Sequence, residues 1–234
     1  MPRDATDQTS ETNVVLPDLL TTTGVTIAPL RSLLESAKDC VRDLVVVDGR
    51  VSGARIEAEQ TASHGLAWLA TYVEALAQMQ VWAEKISAEG KFSEVEQLIH
   101  QIAFSEYLWQ IYGGIPMNQG EILRLQDIGL TQDQMRCLME PAVQTLTQGG
   151  NTQAARMRLV ALMQERSAEV TVGNVGLDEE LDMIRDQFRR YAVEKVEPFA
   201  HDWHLKNELI PIEIIDELAE MGVFGLTIPE EYGG

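Results

Sequence analysis

The chain has 234 residues, 45% apolar side chains and a formal net charge of −19. At roughly 100–200 residues per domain this allows one or two domains with a real core. Residues 1–176 hold 22 acidic and 13 basic side chains (net −9) and the remaining 58 hold 15 and 5 (net −10), so neither part offers the cationic stripe that nucleic acid or an anionic membrane requires.

The opening MPRDATDQTSETN has no apolar run of the kind a secretory signal needs. No stretch approaches the roughly 18 apolar residues of a membrane span, and a cytoplasmic protein is expected. The two cysteines, Cys40 and Cys137, lack a neighbour at metal-ligand or redox spacing and are expected to be buried reduced thiols.

In chain order, residues 1–25 are rich in Thr, Asp, Ser and Pro with little periodicity and are expected to form a mobile tail. Ile27, Leu30, Leu34, Ala37 and Val41 start a helical face. Val45–Val47 before Asp48-Gly49 fits either a helix end with a loop, placed first, or a short strand and turn. Leu66, Leu69, Val73, Leu76, Met79, Ala83 and Ile86 mark a long helix that Gly90 ends. Ser93 with Glu96 three residues on has capping-box spacing and opens a second helix, which the run Gly113-Gly114-Ile115-Pro116 breaks. Further helices are expected from Thr131 to about Gln148, across Pro141, and from Thr152 to about Ala168, joined by Gly149-Gly150. The composition of 171–176, TVGNVG, is that of a linker.

Beyond it, Asp178, Glu179 and Glu180 place negative charge where a helix N-terminus favours it. Leu181, Ile184, Phe188, Tyr191, Val196 and Phe199 continue one face. Pro211 suits a first helical turn, Gly222 a stop, and VFGLTIPEEYGG an extended, turning segment. No strand alternation of useful length occurs, so the fold class is all-α. The glycine pair Gly233-Gly234 ends the sequence at a turn signal, and the chain is expected to be part of a longer one.

Chemistry-bearing residues are sparse. His201 and His204, three apart on a helix, share a face and could ligate a metal, but nothing nearby completes a ligand set; a polar surface corner is expected and no metal site is assigned. His64 and His100 sit alone within apolar helices and read as satisfied structural residues. Glu96 and His100, four apart, fit an acid–base pair or, preferred, an exposed helix pair. Trp68, Tyr72, Trp82, Tyr107, Trp109 and Tyr112 fall at helical spacing and read as core more than as a cofactor box. No GxGxxG or Walker loop is present.

The run LDEELDMIRDQFRRYAVEKVEPFAHDWHLKNELIPIEIIDELAEMGVFGLTIPEEYGG, residues 177–234, resembles the start of the acyl-CoA dehydrogenase family. The resemblance implies the opening of that family's N-terminal helical domain. It also implies an FAD enzyme that oxidises the Cα–Cβ bond of an acyl-CoA thioester. A carboxylate takes the α-proton, flavin takes the β-hydride and an electron-transfer flavoprotein removes the electrons. Homo-oligomers are implied too. The family's catalytic base and most flavin contacts fall beyond Gly234, so no catalytic residue is expected in this chain. The fragment alone is expected to be inactive and to hold no FAD.

Residues 26–170 precede that region as a helical extension, with residues 55–130 similar to a worn copy of the family's C-terminal bundle. The likeness runs through Gln110-Ile-Tyr-Gly113-Gly114 and on through Glu121, Arg124 and Asp127. In the family a Gln-x-x-Gly-Gly helps bind FAD across a subunit interface, which makes Gln110, Gly113 and Gly114 candidate cofactor contacts. The following segment, Gly129-Leu-Thr-Gln-Asp-Gln, has no Glu where many members carry the base. A helix–loop–helix that serves packing is the preferred reading. A long acidic extension of this kind resembles that of a family member acting on a branched dicarboxylic CoA ester in the ethylmalonyl-CoA route. The other hypothesis is a stand-alone acidic helical module that binds a partner protein.

Overall fold

The computed structural model describes residues 14–166 and 172–233. The chain divides into two units, Met1–Gly176 and Leu177–Gly234. Both are built from helices, as the periodicities predict, with two short antiparallel hairpins in the first.

Helix α1 (Leu19–Val45) begins inside the stretch expected to be a mobile tail; residues 1–13 of that stretch lie outside the described residues. Threonine explains the early start. Thr23 Oγ1 lies 2.9 Å from the Leu19 carbonyl and Thr26 Oγ1 2.7 Å from that of Thr23. These bonds satisfy the hydroxyls locally, so both threonines join Leu19, Leu30, Leu33, Ala37, Val41 and Val45 on the buried face. The strand-and-turn reading applies at the end of α1: β1 (Val46–Val47) pairs with β2 (Arg50–Val51), and Asp48 and Gly49 both have positive φ in the turn. An Asp-Gly pair suits that geometry because it tolerates left-handed backbone and matches the strand twist.

Ser52 caps the short α2 (Gly53–Ala58), which leads into α3 (Gln60–Ala88). Gly90, at φ 70°, ends α3 as expected, with the Lys91 amide donating back to the Ile86 carbonyl at 2.8 Å. Helix α4 (Glu94–Gly113) opens with the expected capping box, the Ser93 amide donating to Glu96 Oε2 at 2.9 Å. Strands β3 (Ile115–Asn118) and β4 (Glu121–Leu123) form the second hairpin, too short for alternation to reveal.

The helix expected from Thr131 to Gln148 is interrupted. A 3-10 helix covers Gln134–Met139, and α5 (Pro141–Gly149) starts with proline in its first turn. Pro141 lacks an amide proton and pushes Glu140 into extended backbone, which a continuous helix cannot accommodate. Thr152 then caps α6 (Gln153–Glu165), Ala155 donating to its hydroxyl at 3.1 Å. The glycine joint is a close approach: a Cβ on Gly150 would stand 2.8 Å from the Gln101 carbonyl oxygen and 2.9 Å from Ser105 Cβ. α3 is central, contacting α1 and α4, while α4 also carries α5 and α6. Leu69, Leu76, Phe104, Leu108 and Ile111 are fully buried in this unit. A smaller cluster joins Val95, Leu98, Ala155 and Leu162, with Val172 packed on it.

In the second unit Asp178 caps α7 (Glu179–Lys195), accepting from the Leu181 amide at 2.9 Å. α8 (Glu197–Lys206) carries a proline in its first turn and ends at left-handed Asn207. α9 (Ile212–Glu220) follows Pro211. The finish, expected to be extended and turning, turns throughout more tightly than that, with 3-10 helices at Val223–Gly225 and Glu230–Tyr232. None of α7, α8 and α9 has a buried residue. Apolar side chains such as Phe199 (51% exposed) and Leu209 (91%) face outward. Among the described residues, no helix is long and apolar enough to cross a membrane.

Candidate functional site

The Gln110–Gly114 corner sits where α4 ends and β3 begins. Gln110 is used on both sides of its amide: Oε1 accepts from the Tyr72 hydroxyl at 2.5 Å, and Nε2 donates to Glu106 Oε1 at 2.9 Å. Tyr72 stacks on Tyr107 with ring centroids 4.5 Å apart. Burial, then the neighbouring Tyr107 and Glu106, push the Tyr72 phenol's pKa up, so it stays a donor. Gly114 lies at φ 134°, and a Cβ there would meet Ile122 Cγ2 at 2.4 Å. Its missing side chain is filled by the β3–β4 hairpin. Only Gly113 faces open space.

The glutamine amide is spent within the helical layer, and one of the two glycines is occupied by packing. Beside Gly113 runs an open groove of about 660 Å³ bordered by Tyr112, Arg124, Arg136, Leu138 and Met139. Arg136 is already paired with Asp133 at 2.6 Å. The groove offers contact surface, and the carboxylate on its border, Asp133, is the one that Arg136 pairs with.

The histidines fall into three settings. His64 Nε2 accepts from Trp68 Nε1 at 3.0 Å on an exposed face. His201 and His204 are exposed on α8, and among the described residues no group of three or more His, Cys, Asp or Glu side chains gathers for a metal. His100 is fully buried against Phe104, Phe92 and Trp82. Its Nε2 lies 3.0 Å from Thr23 Oγ1, and that hydroxyl lies 2.7 Å from Gln80 Oε1. Thr23 Oγ1 thus links the imidazole to the Gln80 amide. Nδ1 has no partner among the described residues. The expectation of a satisfied histidine is thus met on one nitrogen only. Burial lowers the His100 pKa to about 4, so the ring is neutral.

Glu96 does not pair with His100 as an acid–base couple would. It is buried, and its two oxygens are directed elsewhere: Oε2 to the Ser93 amide and hydroxyl, Oε1 to the Asn174 amide at 2.7 Å. Burial works to raise its pKa, but the hydrogen bonds from Ser93 and from backbone amides including Asn174 outweigh this, and the carboxyl lies below the usual range. Sequence reasoning missed this link between α4 and the stretch read as a linker. Its one visible signal is a capping-box Glu, which needs only one oxygen for the cap.

The aromatic residues divide as well. Tyr72 and Tyr107 belong with the core, whereas Trp109 (47%) and Tyr112 (52%) are exposed with rings 6.0 Å apart, contrary to the core reading. Cys40 and Cys137 are free, but half-buried instead of buried.

Residues 178–234 match the family model described as Acyl-CoA dehydrogenase, N-terminal domain. The chain is 55% identical over 222 residues to (2S)-methylsuccinyl-CoA dehydrogenase of Cereibacter sphaeroides, covering 94% of this chain and 39% of that protein. Glutaryl-CoA dehydrogenase of Desulfococcus multivorans is 40% identical over 58 residues, 25% of this chain and 15% of that protein. Mitochondrial isobutyryl-CoA dehydrogenase of Dictyostelium discoideum is 36% identical over 61 residues, 26% and 14% of the two chains. The chain thus spans about two fifths of the first of these relatives and about one seventh of the others. The resemblance of residues 177–234 to the start of the acyl-CoA dehydrogenase family is therefore borne out.

Proposed function

We propose that this chain is the N-terminal part of an FAD-dependent acyl-CoA dehydrogenase that oxidises the Cα–Cβ bond of a branched dicarboxylic acyl-CoA, methylsuccinyl-CoA. The observation that carries the proposal is the 55% identity to (2S)-methylsuccinyl-CoA dehydrogenase over 94% of the chain, which extends through the helical extension as well as the family segment. FAD would accept the hydride. The base and the flavin contacts would lie on residues outside this chain; in its own corner Gln110 is bonded to Tyr72 and Glu106 and Gly114 is filled by Ile122, with Gly113 open.

On this reading residues 26–170 form the extension, 171–176 the connection and 177–234 the start of the N-terminal helical domain. The open apolar faces of α7, α8 and α9 await the rest of that domain. The whole protein would be a cytoplasmic homo-oligomer that passes electrons to an electron-transfer flavoprotein.

The purified 234-residue chain, given methylsuccinyl-CoA and an artificial electron acceptor, is expected to show no turnover and no flavin absorbance. Stoichiometric flavin in the purified chain, or turnover, overturns the assignment of the chemistry to residues outside it. A second reading, a protein-binding module, draws on the exposed Trp109, Tyr112 and Met139 edge, since aromatic residues and methionine are enriched at interfaces. It requires a folded first unit that recovers a partner other than an acyl-CoA dehydrogenase subunit.

A further inference from the structure

By composition residues 171–176 are a flexible connection, yet Val172, Gly173, Asn174 and Gly176 are each held on the first unit. Val172 packs on the Val95–Leu98 cluster. Gly173, at φ 86°, presses so closely on α4 that a Cβ would stand 3.1 Å from Glu96 Oε1 and 3.5 Å from Val95 Cγ1. The Asn174 amide donates to that same oxygen at 2.7 Å, and its carbonyl accepts from Trp82 Nε1 at 3.0 Å. Asn174 Oδ1 accepts from the Gly176 amide at 2.8 Å, which folds the segment's end. The Gly176 carbonyl accepts from Lys85 Nζ at 2.6 Å, and a Cβ on Gly176, at φ 72°, would lie 3.0 Å from Ile86 Cγ2. Two glycines in left-handed backbone, each pressed against a helix, are what a close strap needs and what a free linker does not.

We propose that residues 172–176 are a strap clasped between α3 and the first turn of α4, with Glu96 as the clasp. The strap then belongs to the first unit as far as Gly176. Glu96 serves both sides: one oxygen closes the capping box of α4, the other holds the strap. Because the carboxylate is buried, it has no water to fall back on, and an unmet oxygen would be costly. Releasing the strap would add five residues of free chain, roughly 17 Å of reach at about 3.4 Å per residue, and lower the effective concentration of one unit at the other. The inference does not depend on the enzymatic reading.

The test is amide hydrogen exchange on the full chain. The Asn174 amide is expected to exchange about 10- to 100-fold more slowly than an unstructured amide, the range set by a hydrogen bond to a charged acceptor. Gly173→Val leaves Glu96 and Ser93 in place but forces a side chain against α4. It is expected to abolish that protection and to speed proteolytic cleavage within 172–176, with the amides of α3 still protected. Ser93→Ala removes one contact to Oε2 and not the strap. It is expected to lower the melting temperature while Asn174 remains protected, which separates the clasp from the cap. An Asn174 amide at the unstructured rate in the wild-type chain, or unchanged protection in Gly173→Val, overturns the proposal.

Discussion

Acidification tests the buried histidine directly. His100 is fully buried with one nitrogen on Thr23 and the other without a partner, and burial takes its pKa from the usual 6.5 to about 4. The folded chain therefore holds this ring neutral where the unfolded chain protonates it. Between those two values the unfolded state binds more protons, so stability is fully present above pH 6.5 and is lost as pH falls toward 4. A shift of about 2.5 units at about 1.4 kcal/mol per unit corresponds to roughly 3–4 kcal/mol in all, a large share of a typical folding free energy. Urea unfolding at pH steps from about 7.5 to about 4.5, followed by circular dichroism and tryptophan fluorescence, reads the slope. His100→Gln keeps a polar group of similar reach without a proton to take up. It is expected to be less stable at neutral pH but to lose most of the pH dependence in this window. Parallel slopes in the two proteins would refute the reasoning.

The glycine pair supplies a paired test. Gly114→Ala must place a Cβ 2.4 Å from Ile122 at φ 134° and is expected to cost about 1–3 kcal/mol, whereas Gly113→Ala meets nothing within 4 Å and is expected to stay within about 0.5 kcal/mol. Equal effects in thermal melts would contradict the packing role given to Gly114. Phe104→Ala, at a fully buried position, is expected to cost about 3–5 kcal/mol in urea unfolding; a loss under 1 kcal/mol would mean that this core collapses around the gap. Arg158→Ala breaks the pair with Glu94 at 2.6 Å, but both side chains are about 40% exposed, so the loss is expected to be at most about 1 kcal/mol and smaller in high salt.

What could be read from the residues alone follows physical lines. α3 and α4 were legible because their apolar spacing is long and their ends carry local signals, Gly90 and the Ser93–Glu96 box. The break at Pro141 was obscured because apolar periodicity continues on both sides of it. α1 starts early because buried threonines bond to their own helix, which a scan for apolar residues passes over. The Gln110–Gly114 motif was visible, but what occupies it, Tyr72 and Ile122, comes from elements 38 and 8 positions away and is set by tertiary packing. The strap looked like a linker for the same reason: its partners Trp82, Lys85 and Glu96 lie some 80–90 residues upstream.

The most direct test of the central claim is capture of the native protein from its source cells with an antibody raised against residues 26–176. The account predicts a species much heavier than 26.1 kDa that carries flavin and oxidises methylsuccinyl-CoA. A flavin-free species of 26.1 kDa without that activity would contradict it.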